Sequence, residues 1–170
     1  MNAPVRPWHL ALLPLVLPAN YLLAVLRHEG SHSLVALAFG AVVAEFHVWP
    51  PRGVNLSWIT IGFPVRPSPW AVPLQAGAPY AVAVALLAGS VWMIGRLPSG
   101  LLRANVVVGG VVFPCAELVT NVLAYWFGPN DFFWALGTQA PAARVGVTLV
   151  AGAIVLAAAA STTRALAQDR

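Results

Sequence analysis

Residues 20–41 read NYLLAVLRHEGSHSLVALAFGA, and the fold turns on how His28-Glu29-Gly30-Ser31-His32 sits inside that run. The pentapeptide matches H-E-x-x-H. On an α-helix, two histidines four residues apart project from one face and can ligate the same Zn²⁺, with the intervening glutamate beside the open coordination position. The surrounding chain is long and apolar from Trp8 to Phe46. Two imidazoles and a carboxylate are costly in hydrocarbon unless they are paired, metal-bound or facing water, so a polar cluster in this setting marks a functional site. With four histidines and three glutamates in the chain, chance supplies such a match in roughly one chain in several hundred of this composition.

The rest of the composition fits a membrane setting. Of 170 residues, 59% are hydrophobic and 8% charged, and the mean hydropathy is +0.79. Soluble domains carry about one-quarter charged residues. The expectation is an all-α integral membrane protein, a single domain over residues 1–170, multi-pass in the plasma (inner) membrane of a prokaryote. The net charge of +4 is scattered over loops and termini. Without a basic stripe or interleaved aromatics, nucleic acid is not an expected partner. The single cysteine, Cys115, excludes an internal disulfide and any multi-cysteine metal site, and its apolar neighbours suggest an inert buried thiol. Arg6 before a hydrophobic stretch superficially resembles a signal peptide, but cleavage would cut beside or through the pentapeptide, so the segment is expected to be retained.

Four hydrophobic blocks stand against a bilayer core that needs about 20 helical residues to cross. The first runs from about Leu10 to Val43. Pro14 and Pro18 interrupt it, so Pro18 is expected to start a helix over roughly Asn20 to Ala41 with the histidines near its middle; the alternative is a tilted helix from near Trp8, with the histidines closer to one membrane face. From Ala44 to Ser68 polar and apolar residues partly alternate around Pro50-Pro51-Arg52-Gly53, which reads as a β-hairpin at the membrane surface, either a lid or substrate-strand partner or an ordinary interfacial loop. Further spans cover about Trp70 to Ile94, Leu101 to Phe127 and Ala140 to Ala160. With four spans, Arg6, Arg96, Arg103, Arg164 and Arg170 face Arg52, Arg66 and Arg144, which favours cytoplasmic termini.

A zinc hydrolase needs three protein ligands, an open position for water and a base. His28 and His32 supply two ligands, and Glu29 is the expected general base. The remaining acids are Glu45, Glu117, Asp131 and Asp169. Asp169 lies in the terminal tail, and Glu45, about three helical turns beyond His32, is expected to reach the interface. That leaves Glu117 and Asp131. Asp131 follows the breaker Gly128-Pro129-Asn130, where irregular backbone can line a cavity at membrane depth; it either ligates a metal or caps a short helix starting at Phe132. Glu117 and Asn121, four residues apart, face one direction. Glu117 is a third ligand or a partner to a histidine N–H, or the Glu117–Asn121 pair makes a polar contact to another helix. Asn121 can donate to a substrate carbonyl or a developing oxyanion. Arg27 projects about 100° from His28 and faces water or pairs with Glu117. His9 and His47 read as interfacial histidines.

Taken together, the pentapeptide, the β-like segment after it, Ala76-Gly77-Ala78-Pro79 in the next span, and a late Asn121 followed by Asp131 resemble the site-2 protease family of intramembrane zinc metalloproteases, especially its small zincin-like members. The resemblance implies a zinc site within the bilayer boundary, Asp131 as third ligand, and cleavage of peptide bonds in membrane-embedded or juxtamembrane proteins or peptides. The chain departs from the family pattern around Asp131, which reads Pro-Asn-Asp-Phe, and has no inserted PDZ-like domain. A transporter or scaffold that reuses the polar cluster, and a zinc-binding homologue that no longer cleaves, are the alternative functions.

Overall fold

The computed structural model describes residues 13–48, 57–98 and 100–167. The lead-in from Trp8, His9, the Pro50-Pro51-Arg52-Gly53 turn, Arg6, Asp169 and Arg170 lie outside the described residues.

Helix α1 spans Leu13–Ala38, shifted toward the N-terminus from the expected Asn20–Ala41. Pro18 lies inside it and does not start it. The backbone hydrogen bond that Pro18 forfeits is to the Pro14 carbonyl. The pentapeptide consequently sits in the C-terminal half of α1. The helix stops at Gly40, whose φ of 74° is left-handed. Ala41 N–H donates to the Ala36 carbonyl at 3.0 Å and Gly40 N–H to Leu37 at 2.9 Å. This pair of reversed bonds satisfies carbonyls that the ending helix would leave bare.

The two faces of α1 are inverted relative to a helix on a soluble protein. Leu15, Leu22, Leu23, Leu26, Leu34 and Leu37 are exposed, whereas Glu29, Ser31, His32 and Ser33 are buried. Ser31 and Ser33 hydroxyls donate to the carbonyls of Arg27 and Glu29, so neither is left unpaired in the interior.

Strands β1 (Val42–His47) and β2 (Trp58–Gly62) pair antiparallel, as the alternation in this segment leads one to expect. Val42 faces Gly62 and His47 faces Trp58, with a register irregularity between Val43 and Glu45. Glu45 therefore sits in a strand, not on a continued helix, and accepts a hydrogen bond from Thr60 on the exposed sheet surface. His47 stacks on Trp58 with ring centroids 3.7 Å apart.

Helix α2 spans Ala71–Ile94, α3 Leu101–Val107, α4 Phe113–Phe127, α5 Asp131–Leu136 and α6 Pro141–Ala167. A π-helical turn, Val108–Val112, joins α3 to α4. Its cause is legible: Pro114 has no N–H for the Gly110 carbonyl, and the ladder shifts so that Phe113 N–H reaches back five residues to Val108. A Cβ at Gly110 would fall on the Ser90 side chain and one at Gly109 on the Asn20 carboxamide, so this glycine pair lets α2 and α1 approach closely.

Among the described residues, three helical stretches are long and apolar enough to cross a membrane: Ala71–Ile94, Leu101–Phe127 and Pro141–Ala167. The expected count was four. Helix α1 has the length, with 26 residues, but Asn20, Arg27, His28, Glu29, Ser31, His32 and Ser33 dilute its apolar character. The apolar core is built from Leu87, Ile94, Val111 and Ala158, with Cys115 half-buried against it.

Candidate metal centre

Helix α1 projects His28 and His32 from one face, and α5 carries Asp131 up to them. Position follows from local chemistry. Gly128 and Pro129 end α4, and the Asn130 side chain accepts from the N–H groups of Phe132 and Phe133, capping α5. Asn130 Nδ2 also donates to the Asn121 carbonyl at 2.8 Å, tying the cap to α4. Because Asn130 performs the capping, the Asp131 carboxylate is free to face the histidines. Ala135 of α5 packs over Gly77 of α2, its methyl 4.0 Å from where a Cβ would stand, an ordinary van der Waals distance.

Each imidazole is held through Nδ1. His28 Nδ1 lies 2.9 Å from Glu117 Oε1, and His32 Nδ1 donates to the Gln75 carbonyl at 2.8 Å. A carbonyl only accepts, so the His32 proton is assigned to Nδ1 and Nε2 keeps its lone pair; the Glu117 carboxylate imposes the same tautomer on His28. Two lone pairs and a carboxylate oxygen then converge. His28 Nε2 to His32 Nε2 is 3.2 Å, His28 Nε2 to Asp131 Oδ2 is 3.2 Å, and His32 Nε2 to Asp131 Oδ2 is 3.4 Å. Three such atoms repel one another unless a cation lies among them. Bonds of about 2.0–2.1 Å at tetrahedral angles separate neighbouring ligand atoms by roughly 3.3–3.4 Å, and the three edges fall close to that spacing. His28, His32 and Asp131 thus form a group that could hold a metal ion.

Charge leads to the same conclusion. Glu29 is buried, and the side chains of Arg27, Glu117 and Asp131 are 16%, 11% and 29% exposed. One guanidinium and three carboxylates sum to a formal +1 − 3 = −2 with neutral imidazoles. Uncompensated charge in a partly desolvated site is strongly destabilising, and a dication returns the sum to zero.

Glu117 lies on the far side of His28 from Asp131 and is ion-paired with Arg27, the pairing read as one of two options from the sequence. Glu29 accepts from the Ser57 hydroxyl at 2.6 Å. Asn121 donates to the Glu117 carbonyl at 3.1 Å, and its side chain, with Glu117, Glu29, His28, His32 and Asp131, lines a cavity of about 1080 Å³. Trp58, Ile59 and Ile61 of β2 form part of the same wall.

Four contributors had not been singled out from the sequence. Tyr80, buried and stacked on Phe132 at 4.2 Å, donates to Asp131 Oδ2 at 3.1 Å; a hydroxyl within an apolar span was its signal. Asn130 follows the residue preference of helix N-caps. Ser57 and the Gln75 carbonyl carried no comparable mark. Comparisons of the chain with protein-family models, with curated proteins and with solved structures found no significant match.

Proposed function

We propose that the chain is an intramembrane zinc metalloprotease that hydrolyses peptide bonds of membrane-embedded or juxtamembrane substrates. The observation that carries the reading is the convergence of His28 Nε2, His32 Nε2 and Asp131 Oδ2, with both Nδ1 atoms engaged by acceptors and Glu29 lining the same cavity. Zinc suits this donor set: two imidazoles and one carboxylate make three protein ligands and leave a fourth position open. When bound, zinc supplies Lewis-acid polarisation of a carbonyl and makes water nucleophilic near neutral pH.

The remaining steps fall to the chain. One Glu29 oxygen is occupied by the Ser57 hydroxyl, leaving the other to take a proton from the attacking water. As the C–N bond breaks, Glu29 delivers that proton to the departing amine. Asn121, on the cavity wall, is a donor for the substrate carbonyl. Strand β2 offers Trp58, Ile59 and Ile61 to an extended substrate segment, so apolar side chains are accommodated beside the polar site.

The inverted faces of α1 support its placement in the bilayer as a fourth span. Leucines face outward, and the charges turn toward the protein, the arrangement that lipid demands. With four spans, both termini lie on the cytoplasmic side of a prokaryotic plasma membrane.

The reading is tested with purified protein in proteoliposomes and a panel of single-span membrane proteins. Cleavage is expected to stop after treatment with a zinc chelator and to return on adding back Zn²⁺. Cleavage that persists in metal-stripped protein would contradict zinc-dependent hydrolysis.

A further inference from the structure

Prolines inside helices usually mark a lost hydrogen bond, and Pro79 marks one with a destination. It lies within α2, and its side chain is fully buried. In a regular helix the N–H of residue 79 would donate to the carbonyl of residue 75. Proline has no N–H, and its ring crowds that same carbonyl. The carbonyl left over is that of Gln75, and it accepts from His32 Nδ1 at 2.8 Å.

We propose that Pro79 is a positioning residue of the metal site: by withholding an amide hydrogen from the Gln75 carbonyl, it leaves that carbonyl free to fix the tautomer and ring orientation of His32. The inference rests on the metal reading above for its consequence, and on the hydrogen-bond geometry alone for its cause. A backbone carbonyl is a suitable partner here. It cannot donate, so it admits only the tautomer with a proton on Nδ1, and it adds no further negative charge to a site that already holds three carboxylates. The next residue extends the arrangement, because Tyr80 holds Asp131 Oδ2. The Gln75–Tyr80 stretch of α2 thereby steadies two of the three candidate ligands.

A merely structural proline would move metal affinity and stability together, whereas a positioning proline moves only the first. The test uses the full chain in detergent micelles as wild type, Pro79→Ala and, as a control for removing a helix proline away from the site, Pro18→Ala. Three properties are measured: ¹⁵N imidazole shifts of His32 in zinc-free protein, zinc affinity by chelator competition, and the zinc-free thermal midpoint. Wild type should show one His32 tautomer, with the proton on Nδ1. In Pro79→Ala the new amide competes for the Gln75 carbonyl. Mixed tautomers and zinc affinity weakened about 10–100-fold are expected, the usual effect of removing a partner behind a metal-bound histidine. The midpoint should hold or rise, since an interior helix hydrogen bond is regained. Pro18→Ala should leave tautomer and affinity unchanged. A single tautomer and wild-type affinity in Pro79→Ala would overturn the proposal, and so would a fall in midpoint together with affinity, which would make Pro79 a packing residue. Should wild type bind no zinc, the metal reading falls, while the tautomer comparison still decides the role of Pro79.

Discussion

Replacing Asp131 with alanine is expected to abolish stoichiometric zinc binding, whereas replacing Glu117 should only weaken it. The two carboxylates lie on opposite nitrogens of one imidazole: Asp131 Oδ2 is 3.2 Å from His28 Nε2, and Glu117 Oε1 is 2.9 Å from His28 Nδ1. Only Asp131 also reaches His32, at 3.4 Å. Four-ligand structural zinc sites bind with about 10–16 kcal/mol in total, or roughly 2.5–4 kcal/mol per ligand, so loss of one ligand predicts a drop in affinity of about 100-fold or more. A residue that only orients a ligand is worth about 10–100-fold. Asp131→Asn is the companion variant: Asn130 still caps α5, so the helix should persist while the anionic ligand is lost. His28→Ala and His32→Ala should match Asp131→Ala. Chelator-competition measurements across this set rank the ligands directly. Greater zinc loss in Glu117→Gln than in Asp131→Asn would exchange their assignments.

The second large effect is expected at Glu29. Glu29→Gln should lower the rate of peptide-bond hydrolysis by about 10²–10⁴, the usual contribution of a positioned general base, and leave zinc content unchanged. Glutamine keeps the side-chain shape and can still accept from Ser57, which now bonds Glu29 Oε1 at 2.6 Å. What it loses is the oxygen able to carry a proton from water to the leaving amine. Mass-spectrometric detection of products from membrane substrates gives the comparison. Equal product from wild type and Glu29→Gln would remove Glu29 from the reaction. Zinc binding without product from either would favour a protein that binds the metal and does not cleave.

The sequence carried the parts of this site that reside in side-chain type and spacing. Two histidines one helical turn apart identify a shared face, and the scarcity of acids leaves Asp131 and Glu117 as the carboxylates to consider. The antiparallel strands were legible in part, since polar and apolar residues alternate through Ile59, Thr60 and Ile61 of β2, whereas Val42 and Val43 open β1 at the end of the apolar block that also contains α1. Backbone effects were harder to foresee. Pro18 reads as a helix start, yet α1 runs through it. Asp131 reads as a cap or a ligand, and the choice depended on Asn130 taking the capping role. The Gln75 carbonyl could not appear in any inventory of polar side chains, although Pro79, four residues on, is the reason it is available. The π turn before Pro114 resets the rotation of α4 and hence the direction of Glu117 and Asn121, a shift that regular helical spacing does not include.

The central claim is a zinc ion held by His28, His32 and Asp131. Metal analysis combined with zinc K-edge X-ray absorption on the purified wild-type chain tests it most directly. The account predicts about one zinc per chain, with two imidazole nitrogens and one carboxylate oxygen at about 2.0–2.2 Å. No stoichiometric zinc, or a zinc environment without imidazole scattering, would contradict it.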